Sequence, residues 1–438
     1  MDTKMKKIVS LSFVLIASIS LTKGQNTFRS LNEIWSYSLK NNPDNSVYQL
    51  QVEKALKDNL TAKSYLYPKI NAGFSGQYNM EIPETPIPGE IFGRPGETIF
   101  AEFGQTYNYT AGLSTSITLL NWQSKFQSKI AQSNVNLAKA EKDLFEQNLK
   151  QQLAQVYYAV LTSKAAVDLS EKNLSLADST LVLTINRFQQ GLIDNLTLNQ
   201  AKINKNNAFD RLEQNKQYLF ENETNLKILL GMPPTDTFLL TEQIQFDENV
   251  TLETISPNDL NLTLYKIQTE NAVFAKKQVF SRFIPKLDIV TYLGGIQYQE
   301  DFKFSLNSKD WQPNRYIGVN LSIPIFTGFT TKNQYQSAKI TQNIAQMNYE
   351  EAQRKSSLND SILFNNYINA KHSVETVTQN LKLANENVQL AYSKYSEGII
   401  GLDNYLSVFD DYLTIENQYF SRLSDYFINK GIILSRNK

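Results

Sequence analysis

The sequence predicts an α+β membrane protein built from long coiled-coil helices and four transmembrane β-strands. Three observations point there. Helix breakers are missing from two stretches of about a hundred residues, the chain repeats itself at an offset near 207, and each repeat carries two segments of alternating apolar and polar residues.

The helices follow from the breakers. No proline lies between Pro95 and Pro233 or after Pro324. Between Gly112 and Gly231 the only glycine is Gly191, and between Gly328 and Gly431 only Gly398 and Gly401 occur. Proline costs about 3 kcal/mol inside a helix and glycine about 1. The stretches 121–230 and 329–430 therefore read as helical hairpins, each turned at a glycine. The segment from Trp122 to Phe188 would be roughly 100 Å long and must bury a stripe along its whole run. That stripe is present: Leu153, Val160, Val167, Leu174, Leu181 and Phe188 fall seven apart, as do Tyr367, Val374, Leu381, Val388 and Tyr395. Sustained sevenfold spacing means coiled-coil packing. A second column, Val156, Ser163, Ser170, Ala177 and Thr184, is small or polar and allows close helix approach. An ordinary coiled-coil stalk shares this periodicity.

The two apolar columns are related by a shift of 207, which also carries Arg187-Phe188-Gln189-Gln190-Gly191-Leu192-Ile193 onto Lys394-Tyr395-Ser396-Glu397-Gly398-Ile399-Ile400. A shift of 206 maps Gly112 and Ser116-Ile117-Thr118-Leu119 onto Gly318 and Ser322-Ile323-Pro324-Ile325, and one of 217 maps Pro68-Lys69 onto Pro285-Lys286. The chain is a duplicated unit: 25–230 and 257–438, joined by a linker at 231–256.

Each unit holds two strand-like segments, about 69–80 and 106–120, then 286–298 and 315–326. Ile70, Phe74 and Tyr78 alternate with Asn71, Ser75 and Gln77; Tyr107, Tyr109 and Leu113 with Asn108, Thr110 and Ser114; Ile317, Val319, Leu321, Ile323 and Ile325 with Gly318, Asn320, Ser322 and Pro324. The segment 287–298 is weaker, because Val290, Tyr292 and Ile296 break the alternation; Gly294-Gly295 suggests a bulge there. About ten residues of such alternation suit a strand crossing a bilayer, and a face of Asn, Ser, Thr, Gln and Gly suits a wet lumen. Half-buried strands of a soluble sheet alternate in the same way. Four strands cannot close a channel and open edges are not tolerated in lipid, so several copies must contribute; three would supply twelve strands. The stretch 81–106, with Pro83, Pro86, Pro88, Pro95 and five glutamates, reads as a long exposed acidic loop.

Residues 1–24 read as a secretory signal: Lys4, Lys6 and Lys7, a short apolar core from Ile8 to Leu21, and a cut near Gly24-Gln25. Those residues hold four lysines and one aspartate, so the remainder carries 39 basic and 42 acidic residues, a net of −3. That balance argues against a nucleic-acid partner. Beyond this leader no apolar run reaches the ~20 residues of a spanning helix. There is no cysteine and a single histidine, His372, in a heptad region. No Gly-rich phosphate loop, metal-ligand spacing or catalytic constellation stands out, so neither an enzyme nor a cofactor is expected.

These residues together resemble the TolC-like outer-membrane factors over essentially the whole chain beyond the leader. The resemblance rests on the duplicated helix–strand–strand–helix unit, Asn41-Asn42-Pro43, Pro68 and Pro285 before the first strand of each unit, Ser322-Ile323-Pro324-Ile325-Phe326-Thr327-Gly328, and the two glycine-centred tips. It implies a homotrimer with a short twelve-stranded β-barrel in outer-membrane lipid and a long α-helical barrel in the periplasm, belted near residues 231–256. It also implies a passive exit channel for small molecules, linked by a periplasmic adaptor protein to an inner-membrane pump. The outer-membrane component of type I protein secretion is an alternative, and a secreted coiled-coil scaffold or adhesin is one of another class. The tips imply adaptor contacts at Arg187, Phe188, Gly191, Leu192, Ile193, Lys394, Tyr395, Gly398, Ile399 and Ile400. In relatives, acidic residues just beyond the second tip ring the aperture. Here those positions are Asn404 and Ser407, a departure, with Asp403 next door. Asp194 and Thr197 are the first tip's candidates. Both aspartates also suit turn or helix-start roles.

Overall fold

The computed structural model describes residues 26–246 and 259–436. The expected leader and the 247–256 part of the expected linker lie outside them. In chain order the elements are β1 (Asn26–Phe28), α1 (Leu31–Asn41), α2 (Pro43–Lys63), β2 (Lys69–Tyr78), β3 (Glu84–Pro88), β4 (Thr98–Glu102), β5 (Tyr107–Leu120), α3 (Trp122–Gln189), α4 (Asn195–Leu230), β6 (Phe238–Leu240), α5 (Leu260–Phe280), β7 (Lys286–Gln299), β8 (Gln312–Ser322), α6 (Thr330–Ser396) and α7 (Leu402–Arg436). By packing, the chain divides into two units, and each draws on both sequence repeats. The repeat boundaries are therefore not packing boundaries.

One unit holds the sheet, α2, α5, the first part of α3, the first part of α6 and the last residues of α7. Its four-stranded sheet runs β2-β5-β7-β8 with antiparallel neighbours throughout. The register puts Phe74 opposite Ala111, Leu113 opposite Leu293, and Ile289 opposite Val319. Directly opposed residues share a face, so Phe74, Leu113, Leu293, Ile289 and Val319 lie on one face with Gln297 and Arg315, and Val290, Tyr292, Ile296 and Tyr316 lie on the opposite one. Asn71, Ser75, Asn108, Thr110, Ser114 and Asn320 lie on that opposite face as well.

Three strand expectations need correction. The weak segment becomes β7, paired on both sides. Its pairing runs unbroken through Gly294 and Gly295, and the irregularity falls instead between Thr118 and Leu120. The glycines serve close approach: a Cβ on Gly112 would lie 2.7 Å from Gly294 Cα and 2.7 Å from the Tyr292 hydroxyl. The last strand begins at Gln312 and stops at Ser322, so Ile323 and Ile325 fall outside it, ahead of and behind a proline that has no N–H for a ladder. The expected acidic loop contains a hairpin, β3 paired with β4 from Glu84↔Glu102 to Pro88↔Thr98.

The other unit holds β1, α1, the second part of α3, α4, β6, the second part of α6 and most of α7. Here α1 buries Leu31, Ile34 and Trp35, and Trp35 Nε1 donates to Lys150 O at 2.9 Å. The Asn41-Asn42-Pro43 motif gains a local reason. Asn42 Nδ2 and Ser38 Oγ both donate to Leu229 O, at 2.9 and 2.7 Å, satisfying a carbonyl at the open end of α4. Gly231 ends α4 in the left-handed region at φ 68°, and a Cβ there would meet Asn41 O at 2.6 Å. β1 and β6 form a parallel pair that sequence reading did not anticipate.

Of the heptad columns in this unit, Tyr367 lies beyond its limits, while Val374, Val388 and Tyr395 are buried. In α3, Leu153, Val160 and Val167 are buried, but towards the tip the column loosens and Phe188 is 38% exposed. There the small column takes over, with Ala177 and Thr184 wholly buried. The second hairpin brings large tyrosines to this level, and small side chains on α3 receive them.

The Gly112–Gly294 contact yields a test. Gly294→Ala sets a methyl against backbone that cannot give way, and is expected to destabilise the sheet by about 1–3 kcal/mol. Gly73→Ala, with nothing within 4 Å of its Cβ position, should leave thermal unfolding close to wild type.

Candidate functional site

The two hairpin tips are built alike. At the first, Gly191 has φ 70°, its N–H donates to Phe188 O at 2.9 Å, and Leu192 N donates to Arg187 O at 2.9 Å. At the second, Gly398 has φ 81°, its N–H donates to Tyr395 O at 3.0 Å, and Ile399 N donates to Lys394 O at 2.9 Å. This is the Schellman termination, in which a left-handed residue turns the last carbonyls onto following N–H groups. The basic-aromatic-x-x-Gly-aliphatic pattern encodes it twice. The aliphatic residues that follow are left outside: Leu192 is 68% and Ile399 65% exposed. Ile193 is half-buried, and Ile400 packs against the core of the second hairpin.

Beyond the glycines the tips diverge. Asp194 caps α4: its Oδ1 accepts from Thr197 N at 2.9 Å and from Thr197 Oγ1 at 2.7 Å. The Thr197 hydroxyl and then its N–H hold the Asp194 carboxyl below the usual carboxylate range. At the second tip the equivalent position is Gly401, whose carbonyl accepts from Tyr405 N. A side chain at Gly401 would collide with the carboxylate of Asp403. Asp403, Asn404 and Ser407 are exposed on the first turns of α7.

Arg187 joins the tips. Its Nη2 donates to Tyr395 O at 2.7 Å and to Ser396 O at 3.0 Å, and its guanidinium lies 4.8 Å from the centre of the Tyr395 ring. A cation on the last carbonyls of α6 opposes the negative end of that helix. Thr184 Oγ1 and the Tyr395 hydroxyl share a hydrogen bond of 2.7 Å, and Thr180 Oγ1 donates to the Tyr405 hydroxyl at 3.4 Å. Tyr395, Tyr405, Phe409 and Tyr412 stack in sequence with ring centres 5.7, 6.0 and 6.3 Å apart. Sequence reading passed over Thr180, Tyr405 and Phe409. Their signal was the spacing of Tyr405, Phe409 and Tyr412, an apolar face at helical period. Lys394 is exposed and lines an open groove between α6 and α7 with Leu383, Leu390 and Asn404.

Deeper in the same unit the helices are tied by polar side chains. Asn215 donates to Ser170 at 2.6 Å and Asn222 to Ser163 at 2.9 Å, one heptad apart on both helices. His372 is exposed and meets Glu375 at 3.3 Å. Among the described residues no group of three His, Cys, Asp or Glu side chains is placed to hold a metal ion, and no helix is long and apolar enough to cross a membrane.

Each sequence repeat thus supplies one long helical hairpin and two strands of a single sheet. The family described as outer membrane efflux protein matches residues 35–232 and 277–411, and the chain belongs to that family. No curated protein matches it. Among solved structures, it is similar to CusC, reported for its folding and transmembrane channel formation, at TM-score 0.73 and 17% identity over 95% of this chain and 94% of that one. It is similar to the outer-membrane channel OprN at TM-score 0.76 and 15% identity, over 93% and 89%. The Campylobacter jejuni CmeC outer membrane channel matches at TM-score 0.72 and 16% identity, over 100% and 93%. The fold is the one these channels share.

The Asp194 cap is testable through pH. Its carboxyl titrates lower in the folded chain than in the unfolded one, so its contribution is complete above the ordinary aspartate pKa and disappears as pH falls through the depressed value. Asp194→Ala should lower the unfolding midpoint at neutral pH, Asp194→Asn should preserve most of it, and the gap between wild type and Asp194→Ala should close in acid.

Proposed function

We propose that three copies of this chain form an outer-membrane exit channel of a tripartite efflux pump, passively conducting small molecules from periplasm to exterior. The observation that carries this is the four-stranded sheet, with a mainly apolar face from Ile70 to Leu321, a face with Asn, Ser and Thr columns on β2 and β5, and β2 and β8 at its two edges. In lipid such edges must be closed. The strands alternate in direction from β2 to β8, so β8 of one copy runs antiparallel to β2 of the next, and a ring closes without reversing any strand. Two copies would give eight strands, whose interior side chains fill. Three give twelve, with Asn71, Ser75, Asn108, Thr110 and Ser114 around a wet lumen. The likeness to outer-membrane channels supports the location, with the helical hairpins in the periplasm.

The tips then form the periplasmic mouth. Asp194, Thr197, Asp403, Asn404 and Ser407 surround it. Asp403 is the stronger source of a three-carboxylate ring, because Asp194 already serves the α4 cap. The exposed Leu192 and Ile399, with Arg187, Phe188, Ile193, Lys394 and Ile400 around the two glycines, offer the surface for an adaptor protein. Cargo is chosen by the pump, and the channel contributes a passage and a charge preference.

Planar-bilayer recording tests the reading. A ring of carboxylates favours cations, so the wild-type trimer should prefer K⁺ over Cl⁻. Asp403→Ala should reduce that preference several-fold, and Asp194→Ala less. Unchanged selectivity in both single variants and the double variant would remove these residues from the mouth. Absence of any conductance from membrane-extracted protein would remove the channel.

A further inference from the structure

The loop between β7 and β8, residues 300–311, takes an indirect course. β8 is the direct neighbour of β7, yet the loop first crosses the strand on the other side, β5, and reaches the edge strand β2. The Phe302 ring lies 5.6 Å from that of Tyr107 on β5. The Phe304 ring lies 5.6 Å from Tyr109 on β5 and 5.3 Å from Phe74 on β2. The return runs through Trp311, whose ring is 6.0 Å from that of Phe304. Hydrogen bonds fix this course. Ser305 N donates to Gln297 Oε1 of β7 at 3.2 Å, Trp311 Nε1 to Ser305 O at 2.9 Å, and Asn307 N to Ser305 Oγ at 3.1 Å.

The strand register decides which side of the sheet the loop lies on. Phe74 is opposite Ala111, Tyr78 opposite Tyr107, and Tyr109 opposite both Gly76 and Gln297. All of them share the mainly apolar face with Leu113, Leu293 and Val319. The loop therefore folds onto that face and away from the columns of Asn71, Ser75, Asn108 and Thr110. Between loop and sheet is an open cleft of about 690 Å³, lined by Phe74, Tyr78, Tyr107, Tyr109, Phe302 and Phe304, with Gly76 and Gln77. Phe302 and Leu306 are 81% and 88% exposed, an apolar display that marks an interaction surface. The cleft lies at the far end of the strands from their helices, since β2 enters from α2 at Lys69 and ends at Tyr78, and β5 starts at Tyr107 and leads into α3.

We propose that residues 300–311 form a lip embedded in the outer leaflet, against the outer wall of the barrel, and that the cleft beneath it holds an acyl chain of an outer-leaflet lipid. This rests on the channel reading above, which turns the apolar face to lipid and the far end of the strands to the exterior. Pairing of β8 with β2 of the next copy runs in the plane of the sheet, which leaves this face and its cleft to the membrane. The cleft is within the usual size of a ligand pocket, and its aromatic lining on the side away from the lumen suits a lipid chain rather than cargo. Irregular backbone is not tolerated in the hydrocarbon core, so the lip sits at the boundary of headgroups and chains, where barrels carry their aromatic girdles. The exposed Lys303 and Lys309 reach the headgroups from there. A loop held on the wall also leaves the exit clear.

The chain lacks cysteine, so spin labels can be placed singly in the full-length protein in phosphatidylcholine vesicles. Labels go on Phe302→Cys and Leu306→Cys in the lip, on Val319→Cys on the apolar face and on Ser75→Cys on the polar one. Oxygen concentrates in lipid and a nickel chelate in water. The ratio of their accessibilities is expected to be several-fold higher at Phe302, Leu306 and Val319 than at Ser75. A high ratio at Val319, with Phe302 and Leu306 equal to Ser75, overturns the lip and leaves the channel reading standing. Low ratios at all four positions overturn the channel reading and the lip with it. The cleft is read separately. Phosphatidylcholine brominated near the glycerol end of its chains should quench the Trp311 emission, taken as the difference between wild type and Trp311→Phe. Phe302→Asp, which sets a charge at the cleft, should at least halve that quenching. Trp311 emission equal in brominated and plain vesicles overturns the acyl occupant.

Discussion

The backbone groups along the outer edges of β2 and β8 are the constraint on which the account depends. A sheet in water can leave its edges to solvent. A sheet with one apolar face cannot do so in a membrane, where each unpaired N–H and C=O costs several kcal/mol. Much of the apolar surface exposed on the single chain, such as Ile317, Val319 and Leu321 on β8 and Ile70 and Phe74 on β2, belongs to that face. Large exposed apolar faces mark surfaces meant to be covered. Closure by further copies satisfies both requirements at once and places the polar columns around a shared interior.

The helical unit is organised differently. Its seams contain Ser163–Asn222, Ser170–Asn215, Thr184–Tyr395 and Asn173–Glu416 where a permanent bundle would carry leucine. Such pairs add little net stability but penalise any register that leaves them unpaired. They fix the register of the helices against one another. At the tips two hydrogen bonds and a ring contact from Arg187 hold the end of α6.

Much of this was legible in the sequence because it repeats or is periodic. Missing prolines marked the helices, sevenfold columns marked their seams, and the Arg187-Phe188-x-x-Gly191 pattern is a local termination signal that needs no tertiary information. What escaped was non-local. β1 and β6 pair across some two hundred residues with three residues each, too short for any alternation to register. The hairpin inside 81–106 was hidden by its prolines, because Pro86 and Pro88 argue against a strand interior yet are tolerated in a two-stranded edge. Gly294-Gly295 suggested a bulge, when the glycines answer a neighbouring backbone. Asp194 carried two readings, and geometry supplied the capping one through Thr197. The burial of Glu416 had no sequence signal, since the other acids of its helix face water.

The most direct measurement exploits the absence of cysteine from the chain. Single cysteines placed along β2, from Asn71 to Gln77, are combined with single cysteines along β8, from Arg315 to Asn320, and oxidised in intact membranes. The account predicts disulfides between chains for one register of antiparallel pairs, running as covalent trimers in the outer-membrane fraction. Dimers as the largest product, disulfides only within a chain, or no register dependence would contradict the closure of β8 onto β2 of the next copy, and with it the channel.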